Sequence, residues 1–446
     1  MASTKLNRTF GSGNRLKWTW SGWIKRSGLG SNQCIFSAYE NSTNFTICSF
    51  ESDDQLRFGD ESSGNTNGRI ISNMTFRDTS AWYHLVFVFD KDNSTSGDKI
   101  KMYVNGERIT SFSDTGNVPS DTGQMNNSSL GRPHEIGCVN NSDFFNGYMS
   151  HIHFCDGYAY LPSDFGETDS TTGIWKAKSS PSVNYGTTGY FILKDGNSVT
   201  DSSSNTNNWT VAGGTLIDAK DCPSNVFATM NPLQDTEVSL SNGSVLHSNT
   251  NNTIQFTNTS GNGLILSTLG VNSGKYYCEA EADALGGAYM GIGILSDLQS
   301  TNIYNSNSYT GKYSEGWHFS PFSGNNLLNN DSWSSYGSEY VAGDIIGIAL
   351  DGDNNKLYFS INGVWQNSGT GISITSDRTW LFGCSGNNNC IVKWNFGNGY
   401  FGTTQLTGTT YQGADGKGIF KYNPNNITLD STTKSFKSLS TNGLNT

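Results

Sequence analysis

Proline is scarce in this chain, at 8 of 446 residues, and no apolar run approaches the length of a transmembrane helix. Basic residues are few as well: 27 against 38 acidic ones leave a net charge of −11. That balance argues against nucleic-acid or anionic-membrane partners, because no basic stripe exists to displace phosphate counterions. The opening residues, from Met1 to Asn7, lack the apolar core of a secretion signal. The expectation is a protein that folds in the cytoplasm of whatever makes it, or is exported by another route. The 8 cysteines include no C-x-x-C pair, which argues against a structural zinc site. A phosphate-binding glycine loop and a local Ser-His-Asp motif are absent too.

What the chain does contain is 52 glycines, and 12% aromatic residues within a hydrophobic fraction of only 34%. Bulky anchors of this kind allow real cores despite the low apolar content. Together with the short apolar runs, they point to many short strands joined by tight turns. The clearest stretch is 343–369. Ile346, Ile348 and Leu350 alternate with smaller residues, a polar turn follows at 351–355, and Leu357, Phe359 and Ile361 resume a period of two. Asn362-Gly363 then supplies the dipeptide best suited to positive φ at both centres of a hairpin turn, and a third strand begins at Val364. The same grammar occurs earlier, where Trp82 to Asp90 leads through a polar turn to Ile100 to Val104 and then Asn105-Gly106. Near the start, Trp18 and Trp20 share one strand face and Trp23 lies on the other. Cys34 with Cys48, and Cys384 with Cys390, flank hairpin-like polar turns; a disulfide and a pair of buried free thiols both fit these positions.

At this length two or three domains are expected. The expected boundaries are a first sandwich over 1–195, a polar connector over 196–240, a second sandwich over 241–400 and a Gly-, Asn- and Thr-rich tail over 401–446. Within the tail, Phe420, Tyr422, Phe436 and Leu439 are the only anchors. It is expected to wrap over a neighbour or dock on a partner.

Three ordered motifs in the second half resemble the SPRY domain family: Gly274-Lys275-Tyr276-Tyr277-Cys278-Glu279, the G-D-x-I-G-x-x-x-D and L-x-F-S-x-N-G run from Gly343 to Gly363, and Val392-Lys393-Trp394-Asn395-Phe396-Gly397. In the first half, Trp82 to Asp90, Tyr103-Val104-Asn105-Gly106-Glu107 and Gly147 to Phe154 resemble the concanavalin-A-like, or laminin-G-like, lectin superfamily. The resemblance implies an all-β chain of two tandem antiparallel β-sandwiches, a concanavalin-A-like jelly roll followed by SPRY. With 164–176, Asn207-Asn208-Trp209-Thr210 and 221–225 between them, the combination resembles surface or fibre components of marine tailed bacteriophage virions. That implies a virion-surface location after assembly in the host cytoplasm, other virion proteins and cell-surface polysaccharide as partners, and a symmetric homo-oligomer.

A retaining glycosidase needs two carboxylates about 5–5.5 Å apart. Glu279, Glu281 and Asp283 share one strand face, but within the second sandwich they read as a solvated sheet surface, so no catalytic residue and no enzyme activity is expected. His151, His153 and Cys155 alternate along one strand without a fourth metal ligand and read as packing. Asp90, Asp92, Asn93 and Asp98 crowd one loop and are the candidate oxygen ligands for Ca2+, the one cofactor considered. The binding candidates are aromatics in polar loops, because sugars stack on aromatic faces: Tyr304, Tyr309, Tyr313, Trp333 and Tyr336. Trp317 is as readily a core residue of a strand.

Overall fold

Alternate side chains of a strand face opposite sides of its sheet, so in Lys17–Arg26 the residues Trp18, Trp20 and Ile24 point one way and Trp23 the other. Trp18 and Trp20 are fully buried. They stand opposite Phe89 and Phe87 on Tyr83–Asp90, and Phe154 of Gly147–Asp156 flanks Trp20 on the other side. The Trp18 ring stacks on Phe89 at a centroid distance of 5.9 Å. An aromatic layer of this kind supplies a large buried area from few residues, which suits a chain of low apolar content.

The computed structural model describes residues 3–116, 118–120, 122–127, 133–170, 173–178, 180–194, 196–236, 243–259, 261–286, 290–297, 308–321 and 324–444. Chain contacts divide it into two units, 1–218 with 222–224, and 219–221 with 225–446. Both are built from antiparallel sheets, as the expected all-β class requires.

In the first unit a six-stranded sheet runs from Tyr190–Ile192 through Gly147–Asp156, Lys17–Arg26, Tyr83–Asp90 and Ile100–Val104 to Glu107–Arg108. An eight-stranded sheet has Phe112–Thr115 at one edge and, at the other, Lys5–Arg8 paired with Thr210–Gly213. The aromatic layer lies between their inner faces. Residues 196–218, the first part of the expected connector, belong to the first unit. Trp209 is buried, edge-on to Phe10 and Tyr190, and buried Asp201 accepts the main-chain N–H groups of Phe191, Ser203 and Asn207.

In the second unit one sheet has the path Val245–Ser248, Thr253–Phe256, Cys390–Asn395, Lys275–Ala284, Ile345–Asp351, Lys356–Ile361 and Val364–Trp365. The other runs Gly263–Val271, Trp380–Gly386, Gly291–Ser296, Gly316–Phe319, Leu327–Asn329 and Ser332–Ser334. The hairpin expected at 343–369 is present, with Ile348 opposite Phe359 and Leu350 opposite Leu357. Asn362 and Gly363 both take positive φ, 49° and 81°, as do Asn105 and Gly106 in the first unit, at 49° and 90°. In both turns the Asn Oδ1 accepts a main-chain N–H from the partner strand, of Ile345 and of His84 respectively. Each glycine also leaves room for a distant aromatic. A Cβ on Gly363 would lie 2.6 Å from the Tyr422 ring, and one on Gly106 would lie 3.1 Å from Trp175.

The tail wraps over the neighbouring sandwich, the first of the two expected arrangements. It packs on its own unit, where Phe420, Leu429 and Phe436 form a buried cluster with Tyr277, Ala349 and Tyr358 on the outer face of the sheet. Lys437–Ser438 pairs in parallel with Tyr276 and Tyr277. Leu439 joins the inner core beside Phe227 and Met230, and Phe227 bridges Ser440, closing the unit end to end. The physical reason is that central strands with apolar residues on both faces need cover on both.

All eight cysteines are free thiols. Cys34 stands opposite Ser49, while Cys48 stands opposite Phe36, so the register does not pair those two.

Removing the Phe436 ring should destabilise the second unit by about 3–5 kcal/mol, the usual cost of truncating a buried aromatic. Urea unfolding of Phe436→Ala should show the loss in one transition and leave that of the first unit unchanged. A chain stopped after residue 400 should lack the second transition altogether.

Candidate functional site

Tyr309, Tyr313 and Trp333 lie at one end of the six-stranded sheet of the second unit. Its last two strands, Leu327–Asn329 and Ser332–Ser334, are joined by Asn330 and Asp331, both at positive φ, 50° and 54°. This is the two-residue hairpin turn that matches strand twist, and Asn and Asp tolerate it best after glycine. The turn is seated on the preceding loop: Asn330 N donates to Tyr313 O at 3.3 Å and Asp331 N to Gly311 O at 3.2 Å. From below, Asn329 Nδ2 donates to the carbonyls of Ser314 and Gly316, at 3.0 and 2.6 Å. A loop held by this many backbone contacts is preorganised.

On that base the side chains converge. The Tyr309 hydroxyl donates to the Asp331 carboxylate. Burial and that neighbouring carboxylate both push the Tyr309 hydroxyl pKa up. Lys312 Nζ lies 5.8 Å from the Tyr309 ring centre and 5.7 Å from that of Tyr313, within cation–π range of both. Trp333 stands on the edge strand, 39% exposed, with its ring edge-on to His318 at 5.9 Å. His318 supports it from beneath. Its Nδ1 lies 2.9 Å from Thr310 Oγ1 and 3.2 Å from Ser385 Oγ, and its ring fills the space over Gly291, where a Cβ would lie 1.8 Å away. Burial pushes the His318 imidazole down to about 3, so it is neutral at ordinary pH.

Tyr309, Tyr313 and Trp333 are thus brought together. Tyr336 is not: it is buried between Phe319 and Phe359 and donates its hydroxyl to Thr370 O. A tyrosine in a polar run has turned into the core. Trp317 lies on the strand Gly316–Phe319, partly buried against the core. Tyr304 lies outside the described residues. Lys312, Asp331 and His318 are the members that sequence reasoning missed. The turn dipeptide Asn330-Asp331, directly before Trp333, was the available signal.

The proposed calcium loop is dismantled by its neighbours. Asp90 faces Lys17 at 3.2 Å, Asp92 faces Lys91 at 2.8 Å and Asp98 faces Arg108 at 2.7 Å. Asn93 donates its amide to Asp90. Each carboxylate is aimed at its own cation, so they do not converge on one point. Among the described residues no three His, Cys, Asp or Glu side chains are gathered as a metal would need. His151 sits at φ 49° where the pairing with Lys17–Arg26 shifts register, which breaks its alternation with His153. His153 is instead stacked on Phe191 at 3.9 Å, with Nδ1 2.9 Å from the Tyr185 hydroxyl.

Glu279 is not on a solvated face. It is fully buried beneath the tail, while Glu281 and Asp283 both pair with Lys393. A buried Ser21–His84 contact of 2.8 Å in the first unit resembles a nucleophile and its base, but the tautomer is wrong. Trp175 Nε1 can only donate, and it does so to His84 Nδ1 at 2.9 Å. Nε2 therefore carries the proton and donates to Ser21, which leaves no base for the hydroxyl.

Residues 4–159 match the laminin G-type model of the concanavalin A-like lectin/glucanases superfamily, and residues 275–399 match the SPRY domain model. The chain thus carries one domain of each kind. No curated protein matches it. Among solved structures, the SPRY domain of human HERC1 is 22% identical over 34% of this chain and 91% of that one, with a TM-score of 0.28. A second human SPRY domain is 14% identical over 36% and 97%, at 0.27. The stonustoxin structure is 20% identical over 39% and 27%, at 0.30.

The buried histidines give a pH prediction. Burial holds both His84 and His134 down to about 3 in the first unit, and neither His134 ring nitrogen has a hydrogen-bond partner. A lowered folded pKa means that stability is full above about 6.5 and is lost as pH falls toward 3. Each histidine should cost up to about 1.4 kcal/mol per pH unit in that window. Asp60, which burial raises to about 6, acts the other way but over a narrower range. Urea unfolding from pH 7 to 4 should show the net loss, and His134→Leu should lower its slope by one proton.

Proposed function

We propose that the chain is a non-enzymatic recognition protein whose second unit holds a saccharide on the Tyr309–Tyr313–Trp333 platform. The observation that carries this reading is Trp333, an exposed indole fixed on an edge strand by a hairpin turn that is itself hydrogen-bonded to the neighbouring loop. A sugar ring binds by laying its C–H face on such an aromatic, while hydroxyls and carboxylates nearby meet its hydroxyl groups. Asp331 and the Tyr309 hydroxyl stand beside Trp333 to do that. The lectin-like and SPRY domains, both scaffolds with loops at the sandwich ends, are compatible with it.

As its setting we propose the surface of a tailed-phage particle, as a decoration or fibre-tip subunit and a homo-oligomer, because the domain combination resembles such components. Recognition of host-surface polysaccharide is the role that joins the setting to the platform. The rival reading, a glycan hydrolase, is disfavoured by the carboxylates of the Lys275–Ala284 strand: one is sealed in and the other two share a lysine.

A glycan array followed by calorimetry tests the proposal. The intact protein should retain a defined polysaccharide without shortening it. Trp333→Ala and Tyr309→Ala should each weaken binding by about two- to tenfold, the scale of one aromatic contact. Unchanged glycan binding in the double variant would overturn the platform. Loss of a protein ligand in the same variants would show an adaptor instead, and purified particles lacking the chain by mass spectrometry would remove the virion setting.

A further inference from the structure

The outward face of the strand Lys275–Ala284 carries Tyr277 and Glu279, and the segment 419–438 lies across it. Glu279 is wholly buried there. Four donors converge on its two oxygens: Tyr422 N at 2.8 Å and the Tyr277 hydroxyl at 3.1 Å on Oε1, and Lys421 N at 2.9 Å and Asn395 Nδ2 at 3.0 Å on Oε2. Two of the four belong to the segment itself. Asn395 Nδ2 also donates to Ile419 O, so one amide ties the carboxylate and the segment together. Among the described residues no cation is paired with Glu279.

Around Glu279, its own strand offers Tyr277 and Cys278, the strand Cys390–Asn395 offers Asn395, and the segment offers Tyr422 and two main-chain N–H groups. Opposite it on Ile345–Asp351 stands Gly347, over which the Ser360 hydroxyl lies. None of these is a cation, and the lysine that shares this sheet face, Lys393, is paired with Glu281 and Asp283 instead. A carboxylate moved from water into such a place without a cation gains in free energy by taking up a proton.

We propose that segment 419–438 is a proton-coupled clasp, which closes over the sheet as Glu279 takes up a proton and loosens from its 419–422 end as pH rises, uncovering the face around Tyr277. Burial raises the Glu279 carboxyl to about 7, and the donors keep it from rising further; once protonated, its O–H donates to the Tyr277 oxygen, the one of the four groups that can also accept. With the clasp open the side chain meets water, so its pKa returns to the ordinary range near 4.5. The closed form therefore binds the proton more tightly. Closure is favoured in full below about pH 4.5, and that share is lost as pH climbs through 7.

The far end of the clasp is not governed by this proton. There Lys434 pairs with buried Asp351 at 2.7 Å, and the Tyr358 hydroxyl donates to Asp430 at 2.7 Å. Burial pushes Asp430 up, but the bonds from Gly371 N and Tyr358 outweigh it, so its net shift is downward. Its contribution is lost only as pH falls below the ordinary carboxylate range. Opening at higher pH thus begins at 419–422, with 429–436 still anchored.

Hydrogen exchange on the full chain, corrected for intrinsic rates, tests this at the amides of Lys421 and Tyr422. Their protection should fall by about two orders of magnitude between pH 4.5 and 8, while that of Ile348 and Phe359 in the hairpin stays level. Glu279→Gln should flatten the dependence. Should that variant fold poorly, carboxyl-carbon NMR of the unaltered protein replaces it, with an expected Glu279 midpoint above 6. Equal protection at both pH values, or a midpoint in the ordinary carboxylate range, would overturn the proposal.

Discussion

One strand in the second unit has to be covered on both sides, and most of that unit follows from it. Tyr276, Cys278, Ala280 and Ala282 of Lys275–Ala284 fill the core between the sheets, while Tyr277 and Glu279 face outward. A sheet with a central strand of this kind cannot leave its outer face to water, since the aromatic and the uncompensated carboxylate would both be misplaced. The cover comes from residues that contribute no long strand of their own. Gly363 lacks a side chain where Tyr422 must lie, and Asp351 stays buried because Lys434 reaches it. The hairpin at 343–369 is therefore scaffold twice over, once for the core and once as the seat of the tail.

Much of this was legible in the chain and some was not, for physical reasons. Period-two alternation and Asn-Gly turns are local, so the hairpins at 105–106 and 362–363 and the inward pair Trp18 and Trp20 could be read directly. The tail could not. Phe420, Leu429 and Phe436 are separated by polar residues with no period, and what they cover lies more than sixty residues away. For the same reason Glu279 read as solvated: an outward-facing glutamate usually is, until a distant segment closes over it. Tyr336 shows the converse error, since a tyrosine between Ser335 and Gly337 looks like loop and yet fills the core. In the site itself, the aromatics Tyr309, Tyr313 and Trp333 were visible as residue types. Their convergence depends on one turn meeting one loop, which spacing alone does not encode.

Electrostatics in a chain this poor in charge is mostly a matter of what burial forbids. Four histidines, His84, His134, His153 and His318, are sealed in and kept neutral. They act as shaped aromatic packing: His153 stacks on Phe191, His84 on Trp23 and His318 against Trp333. Where acids crowd, as at 90–98, each is turned to a separate cation. The aspartates that look most like ligands are thereby spent on local ion pairs.

Each unit is fastened by its own two ends. Lys5–Arg8 pairs with Thr210–Gly213 in the first, and Phe227 bridges Ser440 in the second. On a ribosome this sets an order of events. The first unit cannot complete its eight-stranded sheet until residue 213 has emerged, and the second must wait for residue 440. Until then the face later covered by Phe420 and Phe436 is an open, partly apolar sheet on a nascent chain, the interval in which misassembly with another copy would be most exposed.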